Sequence, residues 1–187
     1  MSQGELLARM VRALDAVGIP HMVVGSLASS FHAEPRTTQD IDIVIDPTPE
    51  SLRRFVEGLP RPELYADAEA ASEALDRRTS FNVIQAGTGW KVDLIIRRDR
   101  PFSREEMDRR IPIRLLEADT HIATAEDTII AKLEWATEGE SERQLRDVAS
   151  ILAVNRETLD RVYLARWITR LELTDAWERA ELLATEG

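Results

Sequence analysis

The sequence predicts an α+β protein with a helical C-terminal part, and three observations carry that expectation. Apolar residues recur at helical spacing near the N-terminus and again after residue 124, while the segment between holds short β-rich runs bounded by turn residues. One of those runs, Asp40-Ile41-Asp42-Ile43-Val44-Ile45, alternates so that the isoleucines cover one face and Asp40, Asp42 and Val44 the other. Two further runs, at 81–85 and 90–96, flank Ala86-Gly87-Thr88-Gly89, which is a hairpin signal.

Taken in order, Leu6, Leu7, Met10, Val11, Leu14 and Val17 mark an amphipathic helix that Gly18 and Pro20 stop. Residues 21–24 read as a short buried strand. Gly25 then permits a sharp turn, and residues 26–32 read as a helix start, placing backbone N–H groups and the Ser26 hydroxyl at a helix N-terminus. Such an end carries about half a positive charge and attracts phosphate. The segment around Arg36 and Thr38 turns the chain into the aspartate strand, which closes at Asp46-Pro47. Thr48 caps a helix with Pro49 at its first position, running to about residue 58. Residues 60–78, polar and rich in Ala and Glu, read as a loop and a weak helix.

In the second hairpin strand Trp90, Val92, Leu94 and Ile96 share one face, which leaves Lys91, Asp93 and Ile95 on the other. Ser103 and Glu106 fit a capping box, so a helix is expected to start there. Strands at 113–116 and 121–123 continue the sheet. Thr124 and Asp127 cap a helix carrying Ile129, Ile130, Leu133 and Trp135, and further helices are expected near 141–153, 155–170 and 174–184. The expected division is a core over residues 1–120 and a helical region over 121–187 packed on it.

Composition narrows the chemistry. With 43 % hydrophobic and 31 % charged residues the chain reads as an ordinary globular protein. No apolar run spans a bilayer and the start lacks a signal-peptide order, so a cytoplasmic protein without a membrane partner is expected. The absence of Cys excludes thiolate catalysis and thiolate metal sites, and three scattered histidines, His21, His32 and His121, argue against a zinc centre. A net charge of −10 argues against tight, nonspecific grip on long nucleic acids. One island departs from that balance, with Arg97, Arg98, Arg100, Arg104, Arg109, Arg110 and Arg114 close together, either a solvated surface or a patch for a phosphate backbone.

Two ionised carboxylates one pleat apart repel unless positive charge lies between them, and Asp is depleted in strands. A hard divalent ion with oxygen ligands, most simply Mg²⁺, answers that problem at Asp40 and Asp42. Asp93 is a third strand carboxylate in an apolar setting; its alternative is an ion pair with Lys91 or an arginine. Lys132, one of two lysines, sits in an apolar helix, where its amine either reaches a triphosphate or snorkels to the surface.

Gly25-Ser26, then Asp40 and Asp42 on the next strand, then the lone Asp93 resemble the nucleotidyltransferase fold of the DNA polymerase beta superfamily, over roughly residues 20–97. With Arg36, Thr38, Glu126, Asp127, Lys132, Arg143, Arg146 and Asp147 added, the chain looks like the nucleotidyltransferase-type toxins of abortive-infection toxin–antitoxin systems. The resemblance implies a mixed β-sheet flanked by helices and a metal-dependent transfer of a nucleoside monophosphate from a nucleoside triphosphate to a hydroxyl. It implies two Mg²⁺ ions held by Asp40, Asp42 and Asp93, and nucleotide contacts from Gly25, Ser26, Arg36, Thr38 and Lys132. The implied acceptor is a tRNA 3′ end, with a toxin–antitoxin partner protein. An aminoglycoside nucleotidyltransferase and a non-catalytic nucleotide- or partner-binding module are the alternatives.

Overall fold

The computed structural model describes residues 2–33, 38, 40–139 and 141–186. Along the chain run α1 (Gln3–Ala16), β1 (His21–Val23), α2 (Gly25–His32), β2 (Ile41–Ile45), α3 (Pro49–Gly58), β3 (Leu64–Tyr65), α4 (Ala68–Arg77), β4 (Ser80–Gln85) and β5 (Lys91–Ile96). Then follow α5 (Pro101–Arg109), β6 (Ile111–Leu115), β7 (Ala118–Ile122), α6 (Ala125–Gly139), α7 (Glu142–Asn155), α8 (Arg161–Arg170) and α9 (Thr174–Glu186). Among the described residues no helix is long and apolar enough to cross a membrane.

The chain divides into two compact units, one from 1–26 and 38–122 and the other from 27–37 and 123–187. The first holds a seven-stranded sheet in the order β3-β4-β5-β2-β1-β7-β6. The β2–β5 and β1–β7 pairs are parallel and the rest antiparallel, so the sheet is mixed as expected. Its packed face is built by alternation: Ile41, Ile43 and Ile45 of β2, Val92, Leu94 and Ile96 of β5, and Phe81 and Val83 of β4 are all buried. α1 contributes Leu6, Leu7, Met10 and Leu14, and α3 contributes Leu52 and Phe55 to the same core.

Helix starts follow local chemistry. Ser2 and Glu5 form a capping box on α1, and Thr48 with Ser51 does the same on α3 beside Pro49. α5 differs from expectation: it opens at Pro101 behind Arg100, and Ser103 lies inside it, buried, accepting from Arg100 Nε at 3.0 Å. Proline at the first helical position outcompetes the later capping-box pattern. α8 starts at Arg161, later than the expected 155, where the Asp160 carboxylate accepts from the Tyr163 N–H at 2.9 Å and caps it.

The second unit is helical. α7 packs on α6 and α9, and α8 on α6 and α9. Two polar clusters lie in its interior. Fully buried Asp127 accepts from the Thr124 hydroxyl at 2.6 Å and from the Tyr163 hydroxyl. Lys132 Nζ donates to Asp147 and to Gln144, each at 2.7 Å. His32 ends α2 with Nε2 2.7 Å from the Ala123 carbonyl, and burial holds its imidazole below the ordinary histidine range.

Candidate active site

The site grows out of strand register. β1 and β2 run antiparallel with Val23 opposite Ile43, and the ladder gains one more rung where the Val24 N–H donates to the Asp42 carbonyl at 3.0 Å. That rung sets Gly25 against the Asp42 side chain. A Cβ at Gly25 would lie 2.1 Å from Asp42 Oδ2, and its φ of +63° belongs to the left-handed region. Glycine is thus required twice, by backbone conformation and by the close approach. Ser26 follows in the first turn of α2.

β2 and β5 run parallel with Asp42 opposite Asp93, on strands separated by about 4.8 Å. Both aspartates are half-buried on the sheet face opposite the isoleucine core. Asp93 Oδ2 lies 3.3 Å from Lys91 Nζ, while Asp93 Oδ1 is buried without a hydrogen-bond partner. The Lys91 pair is half exposed, and such pairs contribute about 1 kcal/mol or less. It answers the charge of one oxygen and leaves the other.

Asp40 precedes β2 and is exposed; its N–H donates to Thr38 Oγ1 at 3.3 Å. Gln3 Nε2 donates to the Thr38 carbonyl at 3.1 Å, so Thr38 ties the entry of the aspartate strand to α1. Arg36 lies outside the described residues. Lys132 belongs to the helical unit, where it is buried against Asp147 and Gln144; the surface-snorkelling reading does not apply. The arginine island is largely occupied by its own chain: Arg97 pairs with Asp46 at 2.9 Å, Arg104 with Asp99 and Arg114 with Asp119 at 3.1 Å.

Among the described residues no three His, Asp or Glu side chains converge as a metal cage. The donor set is the Asp42–Asp93 pair with Asp40 at the strand's entry. Mg²⁺ is usually held by one or two carboxylates together with substrate phosphates and waters, not by an all-protein cage. The orphaned Asp93 oxygen and the Asp42 carboxylate on the paired strand fit that mode. Replacing Gly25 by Ala should cost about 1–2 kcal/mol in backbone strain alone and displace the Asp42 carboxylate. The expected result is a lowered Tm together with loss of Mg²⁺-dependent triphosphate binding; a variant that retains both would show that the close approach is dispensable.

Sequence reasoning located these residues but not the Gly25–Asp42 contact, which depends on β1–β2 register. It also passed over Asn82, which lies opposite Asp93 on β4.

No family model matches the chain, and no curated protein matches it by sequence. Solved structures do. The solution structure of antibiotic-resistance factor ANT(2'')-Ia is 15 % identical, with 98 % of this chain and 90 % of that one covered at a TM-score of 0.53. An antigenic nucleotidyltransferase-like protein from Paracoccidioides brasiliensis is 14 % identical over 94 % of this chain and 92 % of that one, also at 0.53. The crystal structure of ANT(2'')-Ia in complex with adenylyl-2''-tobramycin is 14 % identical over 100 % of this chain and 99 % of that one, at 0.51. At these identities the likeness speaks to architecture, and together with the mixed seven-stranded sheet it establishes that the chain has the nucleotidyltransferase fold.

Proposed function

We propose that the protein transfers a nucleoside monophosphate from a nucleoside triphosphate to a hydroxyl acceptor. The observation that carries this reading is the rung joining Asp42 to Asp93 beside the Gly25 turn that opens α2. Gly25 and Ser26, at the start of α2, contact the triphosphate's anionic tail, which a helix N-terminus attracts. Asp93 Oδ1, buried and without a partner, accepts the proton of the acceptor hydroxyl. The hydroxyl oxygen forms a bond to the α-phosphorus, the bond from that phosphorus to the bridging oxygen breaks, and pyrophosphate leaves. Asp42 and Asp93, with Asp40, would hold Mg²⁺, which when bound neutralises phosphate charge and lowers the pKa of a bound hydroxyl. The absence of a side chain at Gly25 leaves room for the Asp42 carboxylate beside it.

The acceptor divides two readings. The resemblance to toxin–antitoxin nucleotidyltransferases points to a tRNA 3′ end and to a partner protein. A net charge of −10, and an arginine island whose members pair with Asp46, Asp99 and Asp119, favour a small cationic acceptor such as an aminoglycoside. ANT(2'')-Ia, which shares the fold, was solved with adenylyl-2''-tobramycin.

Calorimetric titration of each nucleoside triphosphate with Mg²⁺ tests the shared core of both readings. Binding of at least one triphosphate that disappears on chelation is the expected result. No binding to any of them would overturn nucleotidyl transfer and favour a module that keeps the fold for recognition.

A further inference from the structure

The carboxylate rung does not end at β5. β4 runs antiparallel beside it, with Asn82 opposite Asp93, so that Asp42, Asp93 and Asn82 stand in line across three strands. Directly opposed residues of an antiparallel pair hold their Cβ atoms about 4.5–5.5 Å apart. Asn82 is exposed, and Asn is depleted in strands, so neither burial nor strand propensity calls for it there. Two residues on, Ile84 shares its face and is 44 % exposed; its partner on β3, Tyr65, is 48 % exposed. The Arg61 guanidinium lies 5.8 Å from the centre of the Tyr65 ring. An amide, a branched aliphatic side chain and an aromatic ring thus form a strip leading away from Asp93, over two strand spacings or about 10 Å.

We infer that Asn82 is a positioning residue for the acceptor, and that Ile84 and Tyr65 seat the sugar ring carrying the reacting hydroxyl. The inference rests on the nucleotidyl-transfer reading. Gly25 and the start of α2 lie at the β1 side of Asp42, which assigns that side to the triphosphate; β4 and β3 continue from the opposite side of Asp93. An asparagine amide offers two donors and an acceptor, which suits neighbouring hydroxyl groups of a sugar. A tyrosine–isoleucine surface suits the ring's apolar face, as aromatic side chains do where one side of a partner is apolar and the other wet. A terminal ribose and an aminoglycoside ring both present this chemistry.

The test compares wild type, Asn82→Ala, Asn82→Ser and Tyr65→Ala, all changed at exposed positions. Triphosphate affinity is measured calorimetrically, and transfer from labelled triphosphate is followed to tobramycin and, separately, to total tRNA. For the acceptor that wild type labels, Asn82→Ala and Tyr65→Ala should raise KM about tenfold and leave triphosphate affinity within about twofold. Asn82→Ser, which keeps a hydroxyl donor, should recover part of that loss. An unchanged acceptor KM, or a parallel fall in triphosphate affinity, would overturn the assignment. Wild type that binds a triphosphate but labels neither tobramycin nor tRNA would refute the sugar-ring seat alone. Wild type that binds no triphosphate would bring down the transfer reading and this inference with it.

Discussion

Asp42→Asn should lower transfer by about 10²–10⁴-fold, the equivalent of roughly 3–5 kcal/mol of transition-state stabilisation. The substitution keeps the shape of the side chain that Gly25 accommodates, yet removes a negative charge at the position paired with Asp93. It also removes like-charge repulsion in the metal-free chain, so Tm without metal should stay within a few degrees of wild type or rise. The decisive comparison is the response to Mg²⁺. Wild type should gain stability on adding Mg²⁺ and triphosphate, as any ligand of the native state gives, and the variant should not. A variant that transfers at the wild-type rate would remove Asp42 from the reaction.

Lys132→Met carries the largest expected effect on stability. Removing one partner of a buried ion pair leaves the other charge uncompensated and costs about 3–5 kcal/mol. Asp147 would be that residual charge: it is nearly buried and receives Lys132 Nζ at 2.7 Å. Replacing both partners, Lys132→Met with Asp147→Leu, should restore much of the loss, because packed apolar residues substitute well for a buried pair. Denaturant unfolding of the single and double variants measures this directly. If the double variant is stable and still binds triphosphate as wild type does, Lys132 is a structural residue of the helical unit. If it is stable and binding is lost, the ammonium serves the nucleotide. A single variant as stable as wild type would show that the pair contributes nothing to the fold.

What could be read from residues alone follows the range of the interactions involved. Alternation along 40–45 placed the isoleucines inward and Asp40, Asp42 and Val44 on the other face, and the burial of β2 matches this residue by residue. The Gly87/Gly89 turn between β4 and β5, the Thr48 cap and the Thr124 cap were equally legible, because each signal lies within a few residues of its effect. Where two local signals competed, as Pro101 and Ser103 did for the start of α5, the backbone constraint of proline prevailed over a side-chain hydrogen bond. β3 escaped notice because two residues carry no period, and it exists through pairing with β4. β6 and β7 were expected at 113–116 and 121–123 but lie at Ile111–Leu115 and Ala118–Ile122, because the tight turn between them uses Leu116 at a φ of +52° where Gly or Asn would have announced it.

Composition and local pattern limited the kinds of chemistry open to this chain: oxygen ligands and no thiolates, a glycine turn at a helix start, and aspartates in the strands, of which Asp42 and Asp93 lie on β2 and β5 while Asp40, expected there too, falls just before β2. Tertiary structure decided which of these meet. Only the parallel pairing of β2 with β5, between segments some fifty residues apart, sets Asp42 opposite Asp93. Only the β1–β2 register makes the Gly25 hydrogen indispensable to Asp42. The same holds for Lys132, whose partners Gln144 and Asp147 lie on the next helix. Register and helix packing are set by the burial of whole apolar faces, an energy spread over many residues, so no short motif announces the contacts that they create.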